Sequence, residues 1–138
     1  MTVVALTDDL ATCLSIRRIV FIEEQGVPEA EEVDGLDSEA IHLLAFDGER
    51  AVGTARILMA DAYGKIGRVA VLKEARGTGV GVALIKAATA EIRARRGSQA
   101  KLGAQTSAIG FYERLGFVAQ GPEYMDAGIP HRDMVSGL

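Results

Sequence analysis

The stretch EARGTGVGVALIKAA, residues 74–88, alternates Gly77, Gly79 and Gly81 with Thr78 and Val80 and then passes into an apolar helical pattern. A helix therefore begins where the backbone is bare. The first N–H groups of a helix lack intrahelical partners, and the macrodipole adds partial positive charge there. Small residues at that point admit an anion to hydrogen-bonding distance.

Three kinds of ligand use this geometry. A P-loop needs Gly-Lys-Ser or Gly-Lys-Thr after four intervening residues, and no such triplet occurs. A dinucleotide fold needs glycine where Val82 stands and an acidic residue about twenty positions further on. Residues 94–112 contain no Asp or Glu. The third ligand is coenzyme A, whose pyrophosphate fits a segment read as Arg76, Gly77, Thr78, Gly79, Val80 and Gly81. Taken alone, the segment also reads as an ordinary glycine-rich turn.

The chain has 138 residues, enough for one domain spanning 1–138 with a core that needs no disulfide or metal. Hydrophobic residues make up 49% and charged residues 25%, with a mean hydropathy of +0.17, the composition of a compact folded protein. No apolar run approaches the length of a membrane span, and Asp8 and Asp9 stand where a signal peptide carries lysine or arginine. The expectation is a cytoplasmic protein without a membrane partner. Cys13, the single cysteine, sits among Leu10, Leu14 and Ile16 and reads as a small buried apolar side chain. No metal site is expected.

Net charge is −4 and the isoelectric point about 5.2, which argues against nucleic acid as a partner. Charge is unevenly spread, since residues 23–39 carry eight acidic side chains and no lysine or arginine. Its part from Glu29 to Glu39 reads first as a solvated face, as such runs usually are. Its functional alternative is a cover over a pocket for a cationic amine.

Residues 2–6 read as a strand, Thr7 or Asp8 as an N-cap, and residues up to Val20 as a helix ended by Gly26, Val27 and Pro28. Residues 41–46 and 51–59 form a hairpin turned at Asp47 and Gly48. A strand over residues 64–72 precedes the glycine segment, and the helix behind it spans residues 80–95 and stops at Gly97. Residues 101–105, 117–119 and 131–135 read as strands, with a short helix at residues 107–115. The order β α β β β α β α β β excludes an all-helical fold and points to an α+β, mixed sheet flanked by helices.

RGTGVG resembles the pattern Gln/Arg-x-x-Gly-x-Gly/Ala that marks the acyl-CoA site of the GNAT superfamily of N-acyltransferases. SAIGFYERLGF, residues 107–117, is similar to that superfamily's second signature. Outside these motifs, VFIEEQGVPEAEEVDGLD, IHLLA, GTARIL, IGRVAVL and DAGIPHRDM resemble the small bacterial ElaA and YjcF subgroup. The resemblance implies a mostly antiparallel sheet of six to seven strands with helices on both faces and the fourth and fifth strands splayed apart.

It also implies acetyl-CoA as cosubstrate and an amine of a small molecule or peptide as acceptor. Val69, Ala70 and Val71 would meet the pantetheine arm and the acyl oxygen with their backbone, and residues 76–82, Arg76 through Val82, would hold the pyrophosphate. Tyr112 takes the place of the family's general acid, because a tyrosine hydroxyl with an ordinary pKa of about 10 stays protonated at neutral pH. The bland alternative is that Tyr112 only packs with Phe111 and Leu115. Candidates for the base that deprotonates the amine are Glu23, Glu24, Asp34, His42 and His131. Acetyl transfer competes with a non-catalytic acyl-CoA sensor, while acetylation of aminoacyl-tRNA is disfavoured by the net charge. Members of the superfamily are often dimers.

Overall fold

The computed structural model describes residues 2–138, so Met1 of the expected domain lies outside the described part. Seven strands form one sheet: β1 (Thr2–Thr7), β2 (Ile41–Asp47), β3 (Arg50–Met59), β4 (Tyr63–Val71), β5 (Gln99–Gln105), β6 (Val118–Asp126) and β7 (Ile129–Gly137). Their spatial order is β1-β2-β3-β4-β5-β7-β6, and every neighbouring pair is antiparallel except the parallel pair β4 and β5. The helices are α1 (Leu10–Arg17), α2 (Glu29–Glu32), α3 (Val80–Ala94) and α4 (Ile109–Glu113), and a π-helical segment, Arg18–Glu24, continues α1. The α+β mixed sheet expected from the element order is the observed one.

Both faces of the sheet are covered, which is why β2 reads as a continuous apolar run rather than an alternation. Leu43 and Ala45 point into the larger core with Leu84, Ile85 and Ile92 of α3, whereas Leu44 packs with Cys13, Ile16 and Val20 on the opposite face. Each fully buried large aliphatic side chain stabilises the fold by roughly 1.5–3 kcal/mol. Burial also pushes the Cys13 thiol pKa up, in keeping with a packing role.

Three local readings need correction. Asp9, one residue later than expected, caps α1, its carboxylate accepting from Thr12 N at 3.1 Å and Thr12 Oγ1 at 2.6 Å. The final edge strand, β6, is far longer than residues 117–119. It carries Gly121 and Pro122 at a break in register between Gln120 and Tyr124, and most of its residues are exposed, so no apolar pattern marked it. The acidic run is not simply a solvated face: Glu32 is buried, and its neighbours are tied down by arginines described below.

Candidate functional site

Strands β4 and β5 pair only at Tyr63 with Gln99, Gly64 with Ala100 and Lys65 with Lys101. Beyond Lys65 they separate, because β4 stays with β3 and β5 stays with β7 as far as Gln105 opposite His131. A bulge explains the divergence. The β3–β4 register passes from Gly67 opposite Arg56 to Ala70 opposite Thr54, so Arg68 and Val69 together face Ala55, and Arg68 has a φ of 51°. A bulged strand bends and twists away from its neighbour. Between the parted strands lies a cleft of about 290 Å³, walled by Ile66 and Val69 on one side, Leu102 and Gly103 on the other, and Tyr112 and His131 at its edge.

The glycine turn follows β4 after a short 3₁₀ turn at Lys73–Ala75. Gly77 and Gly79 have φ values of 76° and 90°, and a Cβ at either would meet open space. Such left-handed backbone favours glycine, and the space beside it suits a ligand that approaches main-chain atoms. Gly79 O accepts from Ala83 N at 3.0 Å, so the amides of Val80, Gly81 and Val82 begin α3 without intrahelical acceptors. These amides can donate to an anion, whereas the Arg76 guanidinium is held by the Glu24 carboxylate and the Val71 carbonyl.

Tyr112 stands in α4 between Phe111 and Phe117, with ring centroids 5.1 and 5.9 Å away in edge-to-face arrangements. It is buried, 9% exposed, and lines the cleft. Burial pushes its hydroxyl pKa up to about 12. Core packing and a place at the cleft are therefore combined in one residue.

The candidate bases scatter. Of the five, His131 lines the cleft. Its Nδ1 lies 2.7 Å from the Ile129 carbonyl, which only accepts, so in the neutral ring Nδ1 donates and Nε2 keeps its lone pair. Opposite in register, Tyr124 stacks on the His131 ring at 5.9 Å and 22°. His42 lies away from the cleft in β2, where Nε2 donates to Asp37 O at 2.9 Å. Glu23 is exposed on the π-helical segment, and Glu24 forks onto Arg76 through two contacts of 2.9 Å.

Asp34 belongs to an ionic network beside the cleft. Arg17 bonds Glu32 at 2.6 Å and Asp37 at 2.7 Å; Arg56 bonds Asp34 and, at 3.1 Å, Asp37; Arg68 reaches Asp34 at 3.2 Å and the Glu32 carbonyl at 3.1 Å. Three guanidinium groups thus face three carboxylates. The hydrogen bond from Arg56 holds the Asp34 carboxyl well below the usual carboxylate range. For Asp37 burial pushes the other way, but hydrogen bonds from Arg17 and Arg56 prevail and lower its pKa.

Arg68, Gly103 and Tyr124 were not singled out in the sequence. Their parts depend on a bulge, a strand register and a hairpin return, none of which leaves a local signature. The one available clue was the position of Tyr124 seven residues before His131 across the AG turn at Ala127 and Gly128, the spacing of a cross-strand pair.

Residues 18–138 match the family described as acetyltransferase (GNAT) domain. The YjcF N-acetyltransferase of Bacillus subtilis is 41% identical over 129 residues, covering 93% of this chain and 92% of that protein. Among solved structures, Escherichia coli ElaA superposes with a TM-score of 0.86 at 29% identity, covering 99% of both chains. An acyl-CoA N-acyltransferase from Pseudomonas aeruginosa superposes with a TM-score of 0.83 at 32% identity, covering 99% of this chain and 98% of that one.

Proposed function

Because the chain belongs to the GNAT acetyltransferase family, we propose that it moves an acetyl group from acetyl-CoA to a primary amine of a small molecule or peptide. The amine attacks directly within a ternary complex. The observation that carries this reading is the cleft itself: β4 and β5 part after Lys65 and the opening is lined by the buried Tyr112, while the bare start of α3 lies beside α4, where a Cβ at Gly81 would meet the Phe111 ring at 3.3 Å.

When bound, acetyl-CoA supplies an activated thioester, so an N–C bond forms as the C–S bond breaks. The residues present fit it. Amides at the start of α3 and the Arg76 guanidinium hold the pyrophosphate. Leu72 donates its N–H to Val52 on β3 at 2.8 Å, so the Val71 carbonyl across the same trans peptide points into the gap. In an extended strand the N–H of Val71 faces the same edge, where it stabilises negative charge on the acyl oxygen. Tyr112 donates its hydroxyl proton to the departing sulfur. His131, with Nδ1 committed to Ile129, takes the amine proton at Nε2, directly or through water.

The test is release of free CoA thiol from acetyl-CoA over polyamines, amino acids, aminoglycosides and peptide amines. Amine-dependent release is expected, together with loss of calorimetric CoA binding in Gly79→Glu, which sets an anionic side chain in the open space at the turn. An unchanged affinity in that variant would remove the coenzyme from this site.

A further inference from the structure

In the structure Arg76 is already engaged at the wide end of the gap. Its Nε donates to the gap-facing Val71 carbonyl at 3.0 Å, and Nη1 and Nη2 each meet one Glu24 oxygen at 2.9 Å. The next residue, Gln25, accepts from Gln105 Nε2 at 2.9 Å, and Gln105 is the last residue of β5. Glu24 and Gln25 therefore tie the end of the π-helical segment to both lips of the gap, to β4 through Arg76 and to β5 directly. That end is wound wide, Gln25 N reaching back five residues to Val20 O at 3.2 Å, a geometry often found at functional sites.

We propose that Glu24 sets the coenzyme affinity of this protein by competing with the pyrophosphate for Arg76, and that coenzyme binding releases the strap formed by Glu24 and Gln25. This rests on the coenzyme site proposed above. A guanidinium fork fits a carboxylate or a phosphate in the same two-bonded way, so two anionic claimants face one cation. If Arg76 turns to the pyrophosphate, Glu24 loses its partner; if Arg76 stays, a carboxylate stands beside an incoming diphosphate. In both cases the Glu24 charge opposes binding. The exchange is accessible because the side chains are 31% and 43% exposed, and an ion pair in that setting is weak in water. Release also frees the Val71 carbonyl for the pantetheine arm.

The experiment is calorimetric titration of CoA into the wild-type protein and Glu24→Gln, paired with hydrogen exchange across residues 22–27. Glu24→Gln is expected to bind CoA about two- to fivefold more tightly, the scale on which one partly screened charge acts. In the wild type, CoA should protect residues 77–83 while speeding exchange at residues 22–27; in the variant, residues 22–27 should exchange fast with or without CoA. Equal or weaker binding by Glu24→Gln, or added protection of residues 22–27 by CoA, would overturn the strap while leaving the coenzyme site intact. A wild-type protein that binds no CoA would overturn the coenzyme site and the strap together. Lower turnover in Glu24→Gln at unchanged CoA affinity would place Glu24 at the acceptor and would also overturn the proposal.

Discussion

Gly103 and Tyr124 are fitted to each other: a Cβ at Gly103 would stand 2.5 Å from the Tyr124 hydroxyl. That hydroxyl donates to Asp133 Oδ1 at 2.7 Å, and the ring lies on His131. Gly103→Ala would displace the tip of a part-exposed side chain, which is cheap for stability but disturbs the wall of the cleft. We expect a melting temperature within a few degrees of wild type, unchanged CoA affinity and a several-fold higher KM for the amine. Steady-state kinetics beside calorimetry separates these quantities, and an unchanged KM would show that the Tyr124–His131 stack does not border the acceptor.

Among the described residues no group hydrogen-bonds the Tyr112 hydroxyl, so Tyr112→Phe deletes a proton donor without orphaning a partner. Turnover should fall on the order of 10²- to 10⁴-fold at nearly constant CoA affinity. Full activity in the variant would mean that the proton comes from elsewhere.

Burial raises the Tyr112 pKa to about 12, and burial followed by Asp133 raises Tyr124 to about 12. Both groups hold their protons more tightly folded than unfolded, where tyrosine titrates near 10. Their contribution to stability is therefore complete below about pH 10 and is lost as pH rises through 12. Tyrosinate absorbance should show two late ionisations accompanied by weakening of the fold; two early, reversible ones would contradict this.

The Arg17–Glu32 pair is 1% and 4% exposed, and in Glu32→Gln Arg17 keeps Asp37 as its remaining carboxylate partner at 2.7 Å. The substitution should destabilise the protein by roughly 1.5–3 kcal/mol in urea unfolding, the scale of one hydrogen bond to a charged group. The neighbouring aspartates add an acid dependence. Their folded pKa values lie below the ordinary 3.8, so the stability they contribute is present above that value and is lost as pH falls through the lowered ones. In Arg56→Met the acid limb below about pH 4 should flatten, because the main cause lowering Asp34 is gone.

His131→Asn retains a donor of similar reach toward Ile129 but supplies no basic nitrogen. Turnover should drop on the order of 10²-fold or more, and regain rate as pH rises and the amine deprotonates in solution. A wild-type rate at neutral pH would assign the proton transfer to water or to another group.

Much of this protein was legible along the chain because the signals are local. The glycines of residues 77–81 announce their turn, since left-handed backbone with room for a ligand selects glycine wherever it occurs. Apolar spacing marked α3 and the β2–β3 hairpin, and the two GNAT-like motifs indicated the family. Of the edge strand β6 only the start, at residues 117–119, was legible, because the rest buries almost nothing and carries no alternation to read.

What the chain alone could not decide is which charges meet. The acidic segment of residues 29–39 looked like a solvated face, yet Arg17, Arg56 and Arg68, drawn from a helix and two strands, fold over Glu32, Asp34 and Asp37. Coulomb attraction depends on distance in space and on local dielectric, and neither is encoded by sequence separation. The same holds for the five candidate bases, three carboxylates and two imidazoles: residue type does not choose between His42 and His131 or among Glu23, Glu24 and Asp34, and what the fold places around each one does. Sequence determined most of the elements and the glycine turn through short-range sterics; tertiary structure alone set Glu24 on Arg76, Asp34 among arginines and His131 beside the cleft.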